Sequence, residues 1–113
     1  MKRNVVEIRS FAKAIKALIA KHKVLGDDYE AFKKNLAENP EFGDLVSGTG
    51  GIRKTRLKSA TKGKRGGFRV CYFDDEFEEE LFLILIYQKN EKEDLTPDDK
   101  KNLREIIKLI RER

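Results

Sequence analysis

The stretch FRVCYFDDEFEEELFLILIY, residues 68–87, sets two apolar runs on either side of a charged turn. In an extended chain, residues 68–73 put Phe68, Val70 and Tyr72 on one face and Arg69 and Cys71 on the other, because successive side chains of a strand alternate. Residues 81–87 are wholly apolar, the pattern of a central strand buried on both faces. Between them, residues 74–80 carry six carboxylates (Asp74, Asp75, Glu76, Glu78, Glu79, Glu80) and no base, which reads as a solvated turn. Residues 52–58 alternate in the same way. Three strands so closely spaced predict an antiparallel meander.

Helices are predicted on either side of this meander. Val5, Val6 and Ile8 indicate a short first strand. Ser10 is placed to cap a helix with Phe11, Ile15, Leu18 and Ile19 at helical spacing, ending before Gly26. Asp27 or Asp28 is placed to cap a second helix that buries Tyr29, Phe32 and Leu36, and Asn39-Pro40 stops it. Residues 43–51 hold four glycines and read as a loop. The last helix is the clearest: Thr96 caps it, Pro97 takes its first position, Asp98 and Asp99 fill its first turn, and Leu103, Ile106, Ile107 and Ile110 form one stripe. The predicted class is α+β.

The chain has 113 residues, which suits a single domain spanning 1–113 with one modest core. Its charged fraction of 40% is high and its apolar fraction of 39% is low, yet the patterning is too regular for disorder. The single Cys71 excludes an internal disulfide and fits a reducing compartment. The first residues, MKRNVVEIRS, lack the apolar core of a signal peptide, and the longest apolar run is far too short to span a bilayer. A cytoplasmic protein with no membrane segment is expected. One histidine, His22, and one cysteine leave no set of soft ligands for zinc, and no cofactor is expected. His22 reads as a helix-end surface residue and Cys71 as core filler.

Charge is sorted along the chain. Residues 48–73 carry eight bases (Arg53, Lys54, Arg56, Lys58, Lys62, Lys64, Arg65, Arg69) and no acid, within a formal net charge of only +5. Such a run attracts a polyanion, with nucleic acid the first candidate. A run of lysines also serves as a solvated face or an edge guard, but those uses normally interleave carboxylates. Strand parity gathers Lys54, Arg56 and Arg69 on one face. The loop adds Lys62, Lys64 and Arg65, and Lys89 and Asn90 follow the third strand closely. Neither Gly48-Thr49-Gly50-Gly51 nor Gly63-Lys64-Arg65-Gly66-Gly67 has phosphate-loop spacing, so these glycines are expected to make tight turns.

Several blocks, in order, resemble one family. They are Asn39-Pro40-Glu41-Phe42-Gly43-Asp44; Gly48-Thr49-Gly50-Gly51-Ile52-Arg53-Lys54; Lys62-Gly63-Lys64-Arg65-Gly66-Gly67-Phe68-Arg69-Val70; Tyr87-Gln88-Lys89-Asn90-Glu91; and Asp94-Leu95-Thr96. Together, from about Tyr29 to the final helix, they are similar to the RelE/HigB family of bacterial toxins. The resemblance implies a RelE-like small antiparallel twisted sheet with an N-terminal helical hairpin and a C-terminal helix. It implies the toxin of a type II toxin–antitoxin pair, held by a cognate antitoxin protein and cleaving mRNA in the ribosomal A site. Carried over by motif, Lys54, Arg56 and Arg69 are the implied catalytic residues. Arg53, Lys62, Lys64, Arg65, Lys89 and Asn90 are the expected RNA contacts.

The chemistry is feasible without a histidine pair or a metal. RNA carries its own nucleophile, the 2′-OH. A lysine among arginines is a candidate acid or base, because like charge favours its neutral form. Guanidiniums can hold two phosphate oxygens at once. Two other readings remain open at this point. One is a ParE-like toxin that acts on DNA gyrase without nuclease activity. The other is a non-catalytic RNA-binding module, weakened by the lack of aromatic residues among the basic ones.

Overall fold

The structure is a computed structural model that describes residues 2–22, 25–58, 67–89, 91–92 and 94–113. Strand β1 (Asn4–Glu7) leads into helices α1 (Arg9–Lys21) and α2 (Leu25–Glu38). Strands β2 (Asp44–Leu45), β3 (Ile52–Leu57), β4 (Phe68–Asp75) and β5 (Glu80–Gln88) follow, and helix α3 (Pro97–Glu112) closes the chain. The sheet order is β1-β5-β4-β3-β2. The expected meander β3-β4-β5 is antiparallel throughout. β1 lies parallel to β5, so the five-stranded sheet is mixed.

Two cores form because β4 and β5 are apolar on both faces. On one face α1 and α2 bury Phe11, Ile15, Leu25, Tyr29 and Leu36 against Leu57, Phe68, Val70, Tyr72, Leu81 and Leu83. On the other, α3 buries Leu103, Ile107 and Ile110 against Ile52, Cys71, Phe73, Phe82 and Ile84. Helix α1 begins after Ile8 without a side-chain cap, so Ser10 lies inside the helix instead of capping it. Burial of Phe11 and Ile15 against the sheet supplies the stability that a cap would have added. Helix α2 starts at Leu25, ahead of the expected Asp27 or Asp28. Leu25 is fully buried, and both aspartates sit in the first turn, where the helix N-terminus favours negative charge. His22 is the C-cap of α1.

The start of α3 is as expected. Thr96 accepts a hydrogen bond from the Asp99 N–H at 3.1 Å, and the Asp99 carboxylate accepts from the Thr96 N–H at 2.8 Å, a reciprocal capping box with Pro97 in the first turn. The glycine loop between β2 and β3 does the turning work expected of it, while Gly63 and Gly66 of the second cluster lie outside the described residues. Between β2 and β3, Gly48 and Gly50 adopt φ of +81° and +79°. The buried Thr49 hydroxyl donates to the Val46 carbonyl at 2.6 Å and accepts from the Ile52 N–H at 3.1 Å, closing the turn from inside.

One irregularity matters for the site. A β-bulge opposite Cys71 and Tyr72 inserts an extra residue into β5, so Cys71 pairs with Leu85 but Tyr72 pairs with Leu83. The slip changes which side chains of β5 share a face. Phe82 and Ile84 then face α3, and so does Tyr87, which strict alternation would have turned toward α1 and α2.

Candidate nucleic-acid interface

The register of β3 and β4 places Arg56 directly opposite Arg69, and Lys54 opposite Cys71. Lys54, Arg56 and Arg69 therefore share the α3 side of the sheet, as strand parity predicts. α3 packs on Ile52, Phe73 and Phe82, toward the other end of these strands. Arg56 stays exposed, and Lys54 and Arg69 are half-buried. The register of β4 and β5 sets Tyr87 beside Arg69. An open groove of about 360 Å³ is lined by Phe42, Gly43 and Asp44, which precede β3, and by Lys54, Arg56 and Arg69.

Folding returns carboxylates to a stretch that lacks them in sequence. Asp44 is the cross-strand neighbour of Lys54 in β2. Asp94, from the connection between β5 and α3, forms an ion pair with Lys54 at 3.3 Å. The Asp94 carboxyl is held below its usual range, first by the Leu95 N–H that donates to it at 2.8 Å and then by the Lys54 ammonium. Lys54 thus sits among charges of both signs, not in the wholly cationic setting its sequence neighbours imply.

The groups beneath this surface are neutral. Burial pushes the Cys71 thiol up to about 12, although the Lys54 charge acts the other way. Burial likewise pushes the Tyr87 phenol up to about 12. The Tyr87 hydroxyl is buried and has no hydrogen-bond partner among the described residues. Lys92 reaches over its ring at 5.8 Å from the centroid and pairs with Asp99 at 2.9 Å.

Arg53 has a different position from its neighbours. Odd parity sends it to the opposite face from Lys54 and Arg56. Its guanidinium donates to the Gly43 carbonyl at 2.6 Å and the Glu41 carbonyl at 3.2 Å, clamping the loop before β2. Lys89 is exposed just past the end of β5, at the sheet end where Arg69 lies. Lys62, Lys64, Arg65 and Asn90 lie outside the described residues. Sequence reasoning did not single out Asp44, Asp94, Phe42 or Tyr87 for this surface. All four did carry a signal, as members of the blocks that resemble the family.

A family model described as the RelE toxin of the RelE / RelB toxin-antitoxin system matches residues 3–113. The chain belongs to the RelE toxin family. Membership makes it a toxin of a toxin–antitoxin system and implies a cognate RelB-type antitoxin. The α+β architecture of the RelE toxin, with helices before and after the sheet, is the one expected from the sequence. No helix among the described residues is long and apolar enough to cross a membrane. The acidic turn of this RelE toxin stands apart from the groove. The strands run further into the acidic stretch than expected, with Asp74 in β4 and Glu80 in β5. Arg3 pairs with Asp74 at 2.6 Å and Arg113 with Glu80 at 2.5 Å, which braces both arginines against the sheet.

Proposed function

We propose that this toxin is a ribosome-dependent, metal-independent mRNA endoribonuclease of the cytoplasm, cutting in the A site through attack by the 2′-OH. The observation that carries the reading is the Arg56–Arg69 pair. Two arginines that are cross-strand partners on one face place like charges side by side, and a phosphate bound there offsets that repulsion while accepting hydrogen bonds from both. In this reading Arg56 and Arg69 hold the non-bridging oxygens as negative charge grows on the phosphorus. The 2′ oxygen bonds to phosphorus, the bond from phosphorus to the 5′ oxygen breaks, and Lys54 donates a proton to the departing oxygen. Asp94 is a poor proton acceptor, because the Leu95 N–H and Lys54 both favour its charged form.

The proton of the 2′-OH then passes to water. That leaves the site incomplete by itself, and orientation of the RNA by the ribosome supplies what is missing, a contribution on the order of 7–11 kcal/mol when complete. Lys62, Lys64, Arg65, Lys89 and Asn90 are assigned to contacts along the RNA backbone. Arg53 is assigned to the loop it clamps, with RNA contact secondary.

The test is translation of a defined mRNA in a purified system, with 5′ ends mapped with and without ribosomes. Cleavage inside codons only when ribosomes are present is the expected result. Intact mRNA together with inhibited gyrase supercoiling would sink the proposal and put the toxin with the gyrase-directed branch.

A further inference from the structure

We propose that Phe42 is a base-stacking platform at the edge of the cationic groove, a subsite for a nucleotide next to the phosphate held by Arg56 and Arg69. The proposal rests on the RNA-directed reading of that groove. All ten aromatic side chains of the chain are described, and only Phe42 and Phe77 are exposed, at 64% and 98%. Phe77 sits within the acidic turn, where a polyanion is repelled. Phe42 lines the groove shared with Lys54, Arg56 and Arg69. Lone exposed apolar side chains are ordinary on protein surfaces. Phe42 differs in that the backbone on both sides of it is tied down beside three cations.

The holding is specific. The buried Tyr72 hydroxyl donates to the Pro40 carbonyl at 2.8 Å and accepts from the Gly43 N–H at 2.8 Å, so one group ties both sides of Phe42. Arg53 clamps the carbonyls of Glu41 and Gly43, the residues on either side of Phe42. The Phe42 N–H itself donates to the Asn39 carbonyl at 3.0 Å. Gly43 allows no side chain: a Cβ there would lie 2.9 Å from the Tyr72 ring and 3.0 Å from the Lys54 carbonyl. The loop is thus seated on the same strand pair that carries the cations. A backbone fixed in this way loses little entropy on binding, and a phenyl side chain has only two torsions to order, which raises its value as a platform. Any base can stack on a phenyl ring, so the subsite adds affinity without dictating sequence.

The experiment measures binding of a fluorescein-labelled single-stranded RNA of about ten nucleotides to the full chain by anisotropy, over a range of salt. Phe42→Ala and Phe42→Leu are expected to weaken binding roughly five- to 150-fold, the range of one lost base–aromatic stack, while Phe42→Trp restores it. The slope of log affinity against log salt stays at the wild-type value in all three, because no ionic contact is lost. Arg56→Ala should instead lower that slope by about 0.7. Equal binding by Phe42→Leu and wild type overturns the proposal, since an apolar contact without a flat aromatic face would then suffice. Unchanged RNA binding by Phe42→Ala overturns it too, and loss of antitoxin binding in that variant would reassign the residue to the protein partner. A wild-type chain with no RNA affinity also overturns it. Phe42-dependent binding by a toxin that leaves mRNA intact on ribosomes would instead keep the stack and remove the nuclease reading.

Discussion

Arg56 and Arg69 face each other directly across β3 and β4, the single like-charged cross-strand pair in that ladder. Like charges in this position destabilise a sheet by roughly 0.2–1 kcal/mol. The fold bears that cost at the open end of the strands, beyond the part that α3 covers. Such a pair stores a preference for an anion that neither arginine would have alone.

The pair makes a separable prediction for Arg69. Arg69→Gln keeps part of the stem and removes the charge, so cleavage on ribosomes should fall by about 10²–10³. The melting temperature should hold or rise slightly, by the equivalent of up to about 1 kcal/mol. Calorimetry and 5′-end mapping on the same preparation give both numbers. Wild-type cutting by this variant would remove Arg69 from the site.

Tyr72→Phe should destabilise the protein by about 1–3 kcal/mol, although it removes only one oxygen. The Gly43 N–H and the Pro40 carbonyl both lose their partner, and both belong to a buried contact. Urea unfolding of the variant measures the loss, and amide exchange at Gly43 should accelerate ahead of global unfolding. A variant as stable as wild type, with a protected Gly43 amide, would show that the loop is held by other means.

Asp99 predicts an acid-sensitive α3. Its carboxyl is held below the usual 3.8, first by the Lys92 ammonium and then by the Thr96 N–H. A depressed carboxyl stabilises the fold above the unfolded value of 3.8, and the contribution disappears as pH falls through the lower folded value. Melting curves of wild type and Asp99→Asn should therefore differ at pH 6 and converge below about pH 4. A gap that persists unchanged to pH 2 contradicts the assignment.

Cys71 should be inert to thiol reagents in the native state. It is fully buried, and its thiol is pushed up to about 12, so little thiolate exists at pH 8. Labelling by iodoacetamide should follow global unfolding and speed up steeply in denaturant. Rapid labelling without denaturant would mean that the sheet opens locally beneath Lys54.

The legible part of this molecule was its periodicity. The alternation of Lys54, Arg56 and Arg69 with Thr55, Leu57 and Val70 fixes which face each occupies, because a strand has only two. Thr96-Pro97-Asp98-Asp99 announces α3, because capping is a local interaction four residues long. Contacts that close long loops carry no such signal. Asp94 meets Lys54 across 40 residues, and Arg53 reaches Gly43 across 10. Tyr87 reaches the α3 face only because a bulge shifts the register of β5, which an unbroken apolar run conceals. Ser10 looks like a cap, yet the helix starts two residues earlier, with Ile8 at the cap position, because tertiary burial decides its boundary.

Strand β4 starts beside Arg69 and ends at Asp74 and Asp75, about 20 Å away at a rise of about 3.3 Å per residue. A stiff rod with opposite poles behaves as a compass needle. A polyanion nearby exerts a torque on it before contact, swinging the open, basic end of the sheet inward and the acidic turn outward. Orientation is then settled during approach, and fewer collisions are wasted on the wrong face.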